Sequence, residues 1–84
     1  MTEPHVHATH PAIIPRLKRA EGHLRHVMTM LQSGAPCSDI ATQLHAVERA
    51  VSAAKRTLIH DHIGHCLTAG DTDLADIKAM TKLL

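Results

Sequence analysis

The segment from His60 to Cys66 carries the side chains with the clearest capacity for chemistry in this 84-residue chain. His62 and Cys66 are four residues apart and would lie on one face of a helix. An imidazole nitrogen and a thiolate are suitable ligands for Ni(II), Co(II), Cu(I) or Zn(II). Because two ligands need one or two more to complete a site, the segment predicts part of a metal centre.

The missing ligands are expected from a second copy of the chain. The only other cysteine is Cys37, and a continuous helix over the 25 residues from Cys37 to His62 would span about 37 Å. One chain cannot close that gap. In an antiparallel pair of such helices, Cys37 of one chain lies beside His62 and Cys66 of the other, and the two-fold axis creates two equivalent sites. The sequence therefore predicts an oligomer.

The first helix is predicted from about Ile14 to Gln32, because Pro11 and Pro15 mark a helix start. Its packed face follows three- and four-residue spacing: Leu17, Ala20, Leu24, Val27, Met28 and Leu31. The segment 33–36, Ser-Gly-Ala-Pro, predicts a break, since glycine supplies a left-handed C-terminal cap and proline prevents continuation.

The second helix is predicted to begin at Cys37 and to end at Gly70. Its packed face has the same spacing: Ile40, Leu44, Val47, Val51, Ala54 and Leu58. Four-residue steps from Leu58 continue that face to His62 and Cys66, which places both ligands at a contact between helices. A short third helix, capped by Asp71 or Thr72, is expected to carry Leu74, Ile77 and Met80.

Composition favours an all-α fold. The chain has no Phe, Tyr or Trp, so its core is aliphatic, which suits interlocked helices. The same absence argues against proteins that bind single strands or RNA loops by stacking bases on aromatic side chains. Residues 11–84 are predicted to form one helical domain that is marginal as a monomer. Residues 1–10 are predicted to form a flexible arm with three histidines, His5, His7 and His10.

The chain is expected to be cytoplasmic, because no apolar run is long enough to cross a membrane and no signal-peptide core precedes the domain. No membrane partner is expected. In a reducing compartment, two cysteines are more typical of metal or redox ligands than of a structural disulfide.

The formal net charge of +1 conceals a segregated charge pattern. The basic residues between positions 12 and 60 are Arg16, Lys18, Arg19, Arg25, Arg49, Lys55 and Arg56, and the acidic ones are Glu21, Asp39 and Glu48. Most other acids follow position 60. An excess of positive charge on two helices is typical either of a solvated surface or of a face that binds a polyanion once several copies assemble.

These segments resemble the CsoR/RcnR-type family of bacterial metal-sensing transcriptional repressors. The resemblance covers nearly the whole chain and rests on residues 16–23 (Arg-Leu-Lys-Arg-Ala-Glu-Gly-His), Pro36-Cys37, residues 43–47 (Gln-Leu-His-Ala-Val) and residues 58–62 (Leu-Ile-His-Asp-His) followed by Cys66. It implies an all-α subunit whose antiparallel dimers assemble into a homotetramer, a dimer of dimers. It also implies a repressor that binds double-stranded promoter DNA without metal and is released by metal, which derepresses an exporter gene.

The four-position ligand pattern of the family corresponds to His5, Cys37, His62 and Cys66, with His7, His10, His60 and His65 as additional candidates. Copper sensors use only the last three positions of the four, so the histidine in the arm indicates the nickel/cobalt branch, the DmeR/InrS-like sensors. Two thiolates and two nitrogen donors suit Ni(II) in a square-planar field. Cu(I) and Zn(II) are the alternatives. Pro36 before the cysteine, and no acid beyond Asp76 in the third helix, disfavour copper.

The resemblance assigns DNA contacts to two sets of basic residues, which are Arg16, Lys18 and Arg19 on the first helix and Arg49, Lys55 and Arg56 on the second. Ala53 stands where copper sensors carry an arginine, and Lys55 or Arg56 is expected to compensate. Two other hypotheses remain: a metal buffer without DNA binding, and a thiol sensor in which Cys37 and Cys66 of neighbouring chains form a disulfide or persulfide. An enzyme is not expected, since no carboxylate and oxyanion arrangement is identifiable.

Overall fold

The computed structural model describes residues 10–69 and 74–84, with the backbone alone for residues 66–69. These residues form three helices, α1 (His10–Ser33), α2 (Cys37–Ala69) and α3 (Leu74–Thr81). The described part of the chain contains no strand, which confirms the all-α prediction. α1 and α2 pack along each other as an antiparallel hairpin, and α3 packs on α2. None of the described helices combines the length and apolarity that a membrane crossing requires.

Helix α1 begins at His10 and not at Ile14 as predicted. The reason is that Pro11 and Pro15 each favour a helix start, and the sequence does not show which of the two lies in the first turn. Pro11 occupies the first turn, where a backbone N–H has no partner within the helix, and Pro15 is carried inside the helix. His10, assigned to the arm from sequence, is therefore the first residue of α1.

The turn between α1 and α2 has the predicted geometry. Gly34 has a φ of 74°, the left-handed conformation that ends many helices. The Gly34 N–H donates to the Leu31 carbonyl at 3.4 Å and the Ala35 N–H to the Met30 carbonyl at 3.0 Å. This pair of bonds is the Schellman motif. Met30 and Ala35, the two residues joined by the longer of these bonds along the chain, both pack against the core.

The core of the hairpin is narrower than the predicted packed faces. The buried apolar residues are Ile13, Ala20, Val27, Ile40, Val47, Ala54 and Ile59. Two of the six predicted residues of the first helix and three of the six of the second are among them. The others are partly exposed, because the apolar arc of each helix is wider than its contact with one neighbour. Ile13 and Ile59 are buried although neither was predicted.

Helix α3 is short and covers part of one end of α2. Ile77 and Met80 are half-buried, whereas Leu74 is exposed. Gly70 and the predicted caps Asp71 and Thr72 lie outside the described residues. The consequence for the site is that the second half of α2, with His62, has α3 beside it.

Candidate metal centre and nucleic-acid interface

Cys37 lies at the first position of α2. The Pro36 carbonyl accepts hydrogen bonds from the Asp39 N–H at 3.0 Å and the Ile40 N–H at 3.1 Å, which starts the helix at this point. The Cys37 thiol is free and exposed. Because the Schellman turn precedes it by only a few residues, the position of Cys37 is set by the rigid end of the hairpin. A thiolate at this position is accessible to a metal ion held by another molecule.

His62 lies near the other end of α2 and contacts α3. Its Nε2 atom is 2.5 Å from Oδ2 of Asp76, and the two side chains are 24% and 45% exposed. A carboxylate oxygen accepts, so Nε2 carries a proton in this pair and a lone pair for a metal would be on Nδ1. A carboxylate that orients the imidazole in this way is a regular partner of metal-ligating histidines. Asp76 therefore gives His62 the environment of a ligand.

Cys37 and His62, the two predicted ligands whose side chains the structure describes, do not meet within one chain. Cys37 and His62 belong to one continuous helix, so the 25 residues that separate them span about 37 Å. Among the described residues, no three His, Cys, Asp or Glu side chains are close enough to hold a metal ion. His5 and His7 lie outside these residues, and the side chain of Cys66 is not described. The ligand set stays a prediction that requires a second chain.

One side of the hairpin, which we call the apolar face, exposes aliphatic side chains from both helices: Leu17, Leu24, Met28 and Leu31 of α1 and Leu44 and Val51 of α2, each between 42% and 59% exposed. Leu17, Val51 and the half-buried Leu58 line one apolar groove on this face. Cys37, Leu44, Val51 and Leu58 follow at seven-residue intervals, which is two helical turns, and His62 comes four residues later. The predicted ligands at both ends of α2 thus align with the apolar face.

The opposite side, which we call the polar face, contains a groove between α1 and α2. The groove is lined by Arg16, Arg19, Ala20, His23, Ala50 and Ala53. A second groove continues from Ala53 along α2 and is lined also by Arg56, Thr57, His60 and Asp61. The structure therefore brings three of the predicted DNA-contacting residues, Arg16, Arg19 and Arg56, to one face.

The remaining predicted DNA-contacting residues are placed differently. Lys55 lines the apolar groove beside Ile13 and Leu17, where its methylene stem covers apolar surface. The expectation that Lys55 compensates for the alanine at position 53 finds no geometric support, whereas Arg56 shares a groove with Ala53. Lys18 and Arg49 are exposed and line none of these grooves.

Sequence reasoning missed a contact across the polar face. His23 Nε2 and Gln43 Oε1 are 2.5 Å apart in a partly buried hydrogen bond between α1 and α2. Both residues belong to the segments that carry the family resemblance, but no local spacing rule pairs positions 20 residues apart. Glu21 and Arg25, by contrast, form an exposed pair at 2.8 Å with the four-residue spacing that a sequence does indicate.

A protein family, two relatives and one solved structure are similar to this chain. A family model described as metal-sensitive transcriptional repressor matches residues 9–84. The copper-sensing transcriptional repressor CsoR of Mycobacterium ulcerans is 37% identical over 73 residues, which are 87% of this chain and 62% of that protein. CsoR of Bacillus subtilis is 38% identical over 72 residues, 86% of this chain and 71% of that protein. The chain thus spans about three fifths of the length of the mycobacterial relative.

A solved structure, the nickel-responsive transcriptional regulator InrS, has the same fold, with a TM-score of 0.71 and 30% identity over 96% of this chain and 90% of that one. The names of the similar proteins differ in the metal, copper for the sequence relatives and nickel for the structure. They agree on transcriptional regulation, so the expectation that the chain is not an enzyme is confirmed. The family model extends over nearly the whole chain and the fold matches as well, and the protein therefore belongs to the CsoR/RcnR-type family of metal-sensitive transcriptional repressors.

Proposed function

We propose that this protein represses transcription by binding double-stranded promoter DNA in its metal-free form and leaves the DNA when it binds Ni(II) or Co(II), which derepresses a metal exporter. The observation that carries the metal-binding part is the hydrogen bond between His62 and Asp76. It orients an imidazole on α2 four residues before Cys66 and in line with the apolar face.

A second copy of the chain completes the site in this proposal. Val51 lies about halfway along α2 between Cys37 and the pair His62 and Cys66. Two α2 helices that cross antiparallel at Val51 place Cys37 of one chain near His62 and Cys66 of the other. The exposed aliphatic side chains of the apolar face support this pairing, because they need a partner surface of the same kind. Two such dimers would form the homotetramer that the family resemblance implies.

The choice of nickel or cobalt rests on the donor set. His5, Cys37, His62 and Cys66 supply two nitrogen and two sulfur atoms, a set that suits square-planar Ni(II). The similarity to nickel-responsive InrS supports this choice. His7 and His10 are the alternative donors near the amino terminus, and His10 is the first residue of α1. Zn(II) would accept the same four donors in a tetrahedral site.

Copper is a second candidate, and two observations favour it. The sequence relatives carry the name copper-sensing. In addition, Asp76 contacts His62, which weakens the sequence argument that counted against copper because the third helix has no acid beyond Asp76. Cu(I) would need only Cys37, His62 and Cys66 in a trigonal site. The two candidates therefore differ in whether His5 is required.

Binding of DNA in this proposal uses the polar face. Arg16, Arg19 and Arg56 supply cationic side chains there, and contacts to phosphates fix a protein on duplex DNA. Metal at the ends of α2 would favour a tetramer geometry that fits DNA less well. Because such coupling is reciprocal, DNA should weaken metal binding by the same factor, typically ~1–3 kcal/mol.

The test is fluorescence anisotropy of a labelled promoter duplex with reduced, metal-free protein under anaerobic conditions. Ni(II), Co(II), Cu(I) and Zn(II) are added separately to wild type and to His5→Leu. Release by Ni(II) or Co(II) that is lost in His5→Leu supports the nickel/cobalt sensor. Release by Cu(I) in both proteins identifies a copper sensor instead. A protein that binds metal but no duplex would be a metal buffer, and the repressor proposal would be wrong.

A further inference from the structure

The groove on the polar face has a charge distribution that suits an anion. Its α1 wall carries the side chains of Arg16, Arg19 and His23, and its α2 wall consists of Ala50 and Ala53. The groove lining includes no acidic residue. Glu21, the nearest acid in the α1 sequence, pairs with Arg25 at 2.8 Å. The two guanidinium groups therefore have no carboxylate partner within the groove lining.

The small side chains on α2 give an anion room to approach. A methyl group at positions 50 and 53 lets a ligand between the helices reach the surface of α2, and a longer side chain there would fill the groove. Guanidinium groups bind phosphate oxygens through pairs of parallel hydrogen bonds, which makes arginine a preferred phosphate ligand. Two arginines three residues apart on one helix can approach the same oxyanion.

The hydrogen bond between His23 and Gln43 positions the walls of this groove. The amide oxygen of Gln43 can only accept, so His23 donates through Nε2. Because His23 lies one turn beyond Arg19 on α1, this bond ties the arginine-bearing segment of α1 to α2. His23 is thus a positioning residue for the two guanidinium groups.

We propose that this groove is a discrete phosphate-binding site, in which Arg16 and Arg19 hold one phosphate group against Ala50 and Ala53. Without nucleic acid the site takes free inorganic phosphate. On duplex DNA it takes a phosphodiester of the backbone, a role that rests on the function proposed above. Inorganic phosphate then competes with DNA more strongly than chloride does at the same ionic strength.

The first test measures binding of inorganic phosphate to the full, metal-free chain by isothermal titration calorimetry, with ionic strength held constant by chloride. Arg19→Gln should weaken phosphate binding at least about tenfold, because a charge-assisted hydrogen bond is lost. Arg25→Gln is the matched control: the same substitution on the same helix, at an exposed residue outside the groove. It should leave phosphate binding unchanged.

A second pair of variants tests the shape of the groove. Ala53→Leu should abolish phosphate binding by filling the groove, whereas Ala41→Leu adds the same volume at an exposed position on the opposite side of α2 from Ala50 and should have no effect. Circular dichroism of both variants checks that the helices are retained. If Arg19→Gln and Arg25→Gln weaken phosphate binding equally, or wild type binds none, the site does not exist.

The third test separates this site from the proposed repressor function. A duplex bound to wild type should be displaced by phosphate at lower ionic strength than by chloride, and this difference should vanish in Arg19→Gln. A wild-type protein that binds duplex but shows no difference between the two anions overturns the site and leaves the repressor intact. Phosphate binding that depends on Arg19, in a protein that binds no duplex, supports the site and contradicts the repressor.

Discussion

The two faces of the α1–α2 hairpin differ in whether the residues of a single chain are enough to form the binding surface. On the polar face, the groove between Arg19 and Ala53 is closed on both sides by residues of the same chain and braced by the bond between His23 and Gln43. On the apolar face, Val51 and the other exposed aliphatic residues are about half exposed, and the predicted ligands Cys37 and His62 lie at opposite ends of one helix. A groove that is formed by one subunit, as on the polar face, can bind another molecule directly. A site whose predicted ligands are far apart in one subunit, as on the apolar face, needs a second copy of the chain first.

The largest effect is expected from a charged residue introduced at the centre of the apolar face, which tests whether that face pairs with a second chain. Val51→Glu should convert the proposed oligomer to monomers, because two like charges would meet near its two-fold axis at a cost of several kcal/mol, or about a thousandfold in the association constant. Analytical ultracentrifugation of the metal-free protein measures it. Ala46→Glu adds the same charge at an exposed residue outside the apolar groove and should leave the assembly unchanged. An unchanged mass for Val51→Glu would contradict the pairing about α2.

A second change separates His62 from its carboxylate partner. Asp76→Asn should weaken metal binding about 10- to 100-fold, since the side chain that orients the imidazole no longer accepts a strong hydrogen bond. Competition with a chelator of known affinity measures this loss. Asp39→Asn, an exposed residue in the first turn of α2, is the control for a lost negative charge. Equal metal affinity in all three proteins would mean that the contact with α3 is only structural.

The left-handed turn at Gly34, which joins α1 to α2, can be tested by substituting two glycines. Gly34→Ala should destabilise the fold by about 1–2 kcal/mol, because its φ of 74° is strained for any residue with a Cβ. Gly22→Ala should instead stabilise it by roughly 0.5–1 kcal/mol, since Gly22 lies inside α1 and an added Cβ meets nothing within 4 Å. Thermal unfolding measures both. A similar melting temperature for the two variants would argue against the left-handed turn.

The smallest effect is expected when two adjacent basic residues are substituted and the salt dependence of DNA binding is compared. Arg56→Gln should reduce the slope of log affinity against log salt for duplex DNA by about 1 for each engaged copy, because one phosphate contact is removed. Lys55→Gln should change that slope little, since Lys55 lines the apolar groove. Anisotropy titrations at several salt concentrations give both slopes. If Lys55→Gln had the larger effect, the assignment of DNA to the polar face would be wrong.

Much of the fold could be predicted because its signals are local. The break at Gly34, the start of α2 at Cys37 and the all-helical class follow from residue types with fixed backbone consequences. The start of α1 was placed too late because Pro11 and Pro15 are both tolerated early in a helix. Burial of Ile59 was missed because it falls outside the regular spacing of the packed face of α2.

Only those features of the candidate site that depend on residues close together in the sequence could be predicted. The four-residue spacing of His62 and Cys66 is visible in the sequence, but the partner of His62 on α3 is 14 residues away and depends on how that helix docks. The same holds for His23 and Gln43, which the hairpin brings together. Charge counting grouped Lys55 with Arg56, although adjacent residues on a helix point about 100° apart. Only the packing of α1 on α2 decides which face each of them joins.

The separation of Cys37 from His62 along one rigid helix has a consequence for sensitivity. In the proposed function, a metal site shared between chains exists only where chains are associated, so in the free protein its occupancy depends on protein concentration as well as on metal concentration. In the proposed assembly, the length of α2 thereby ties metal affinity to the association of the chains.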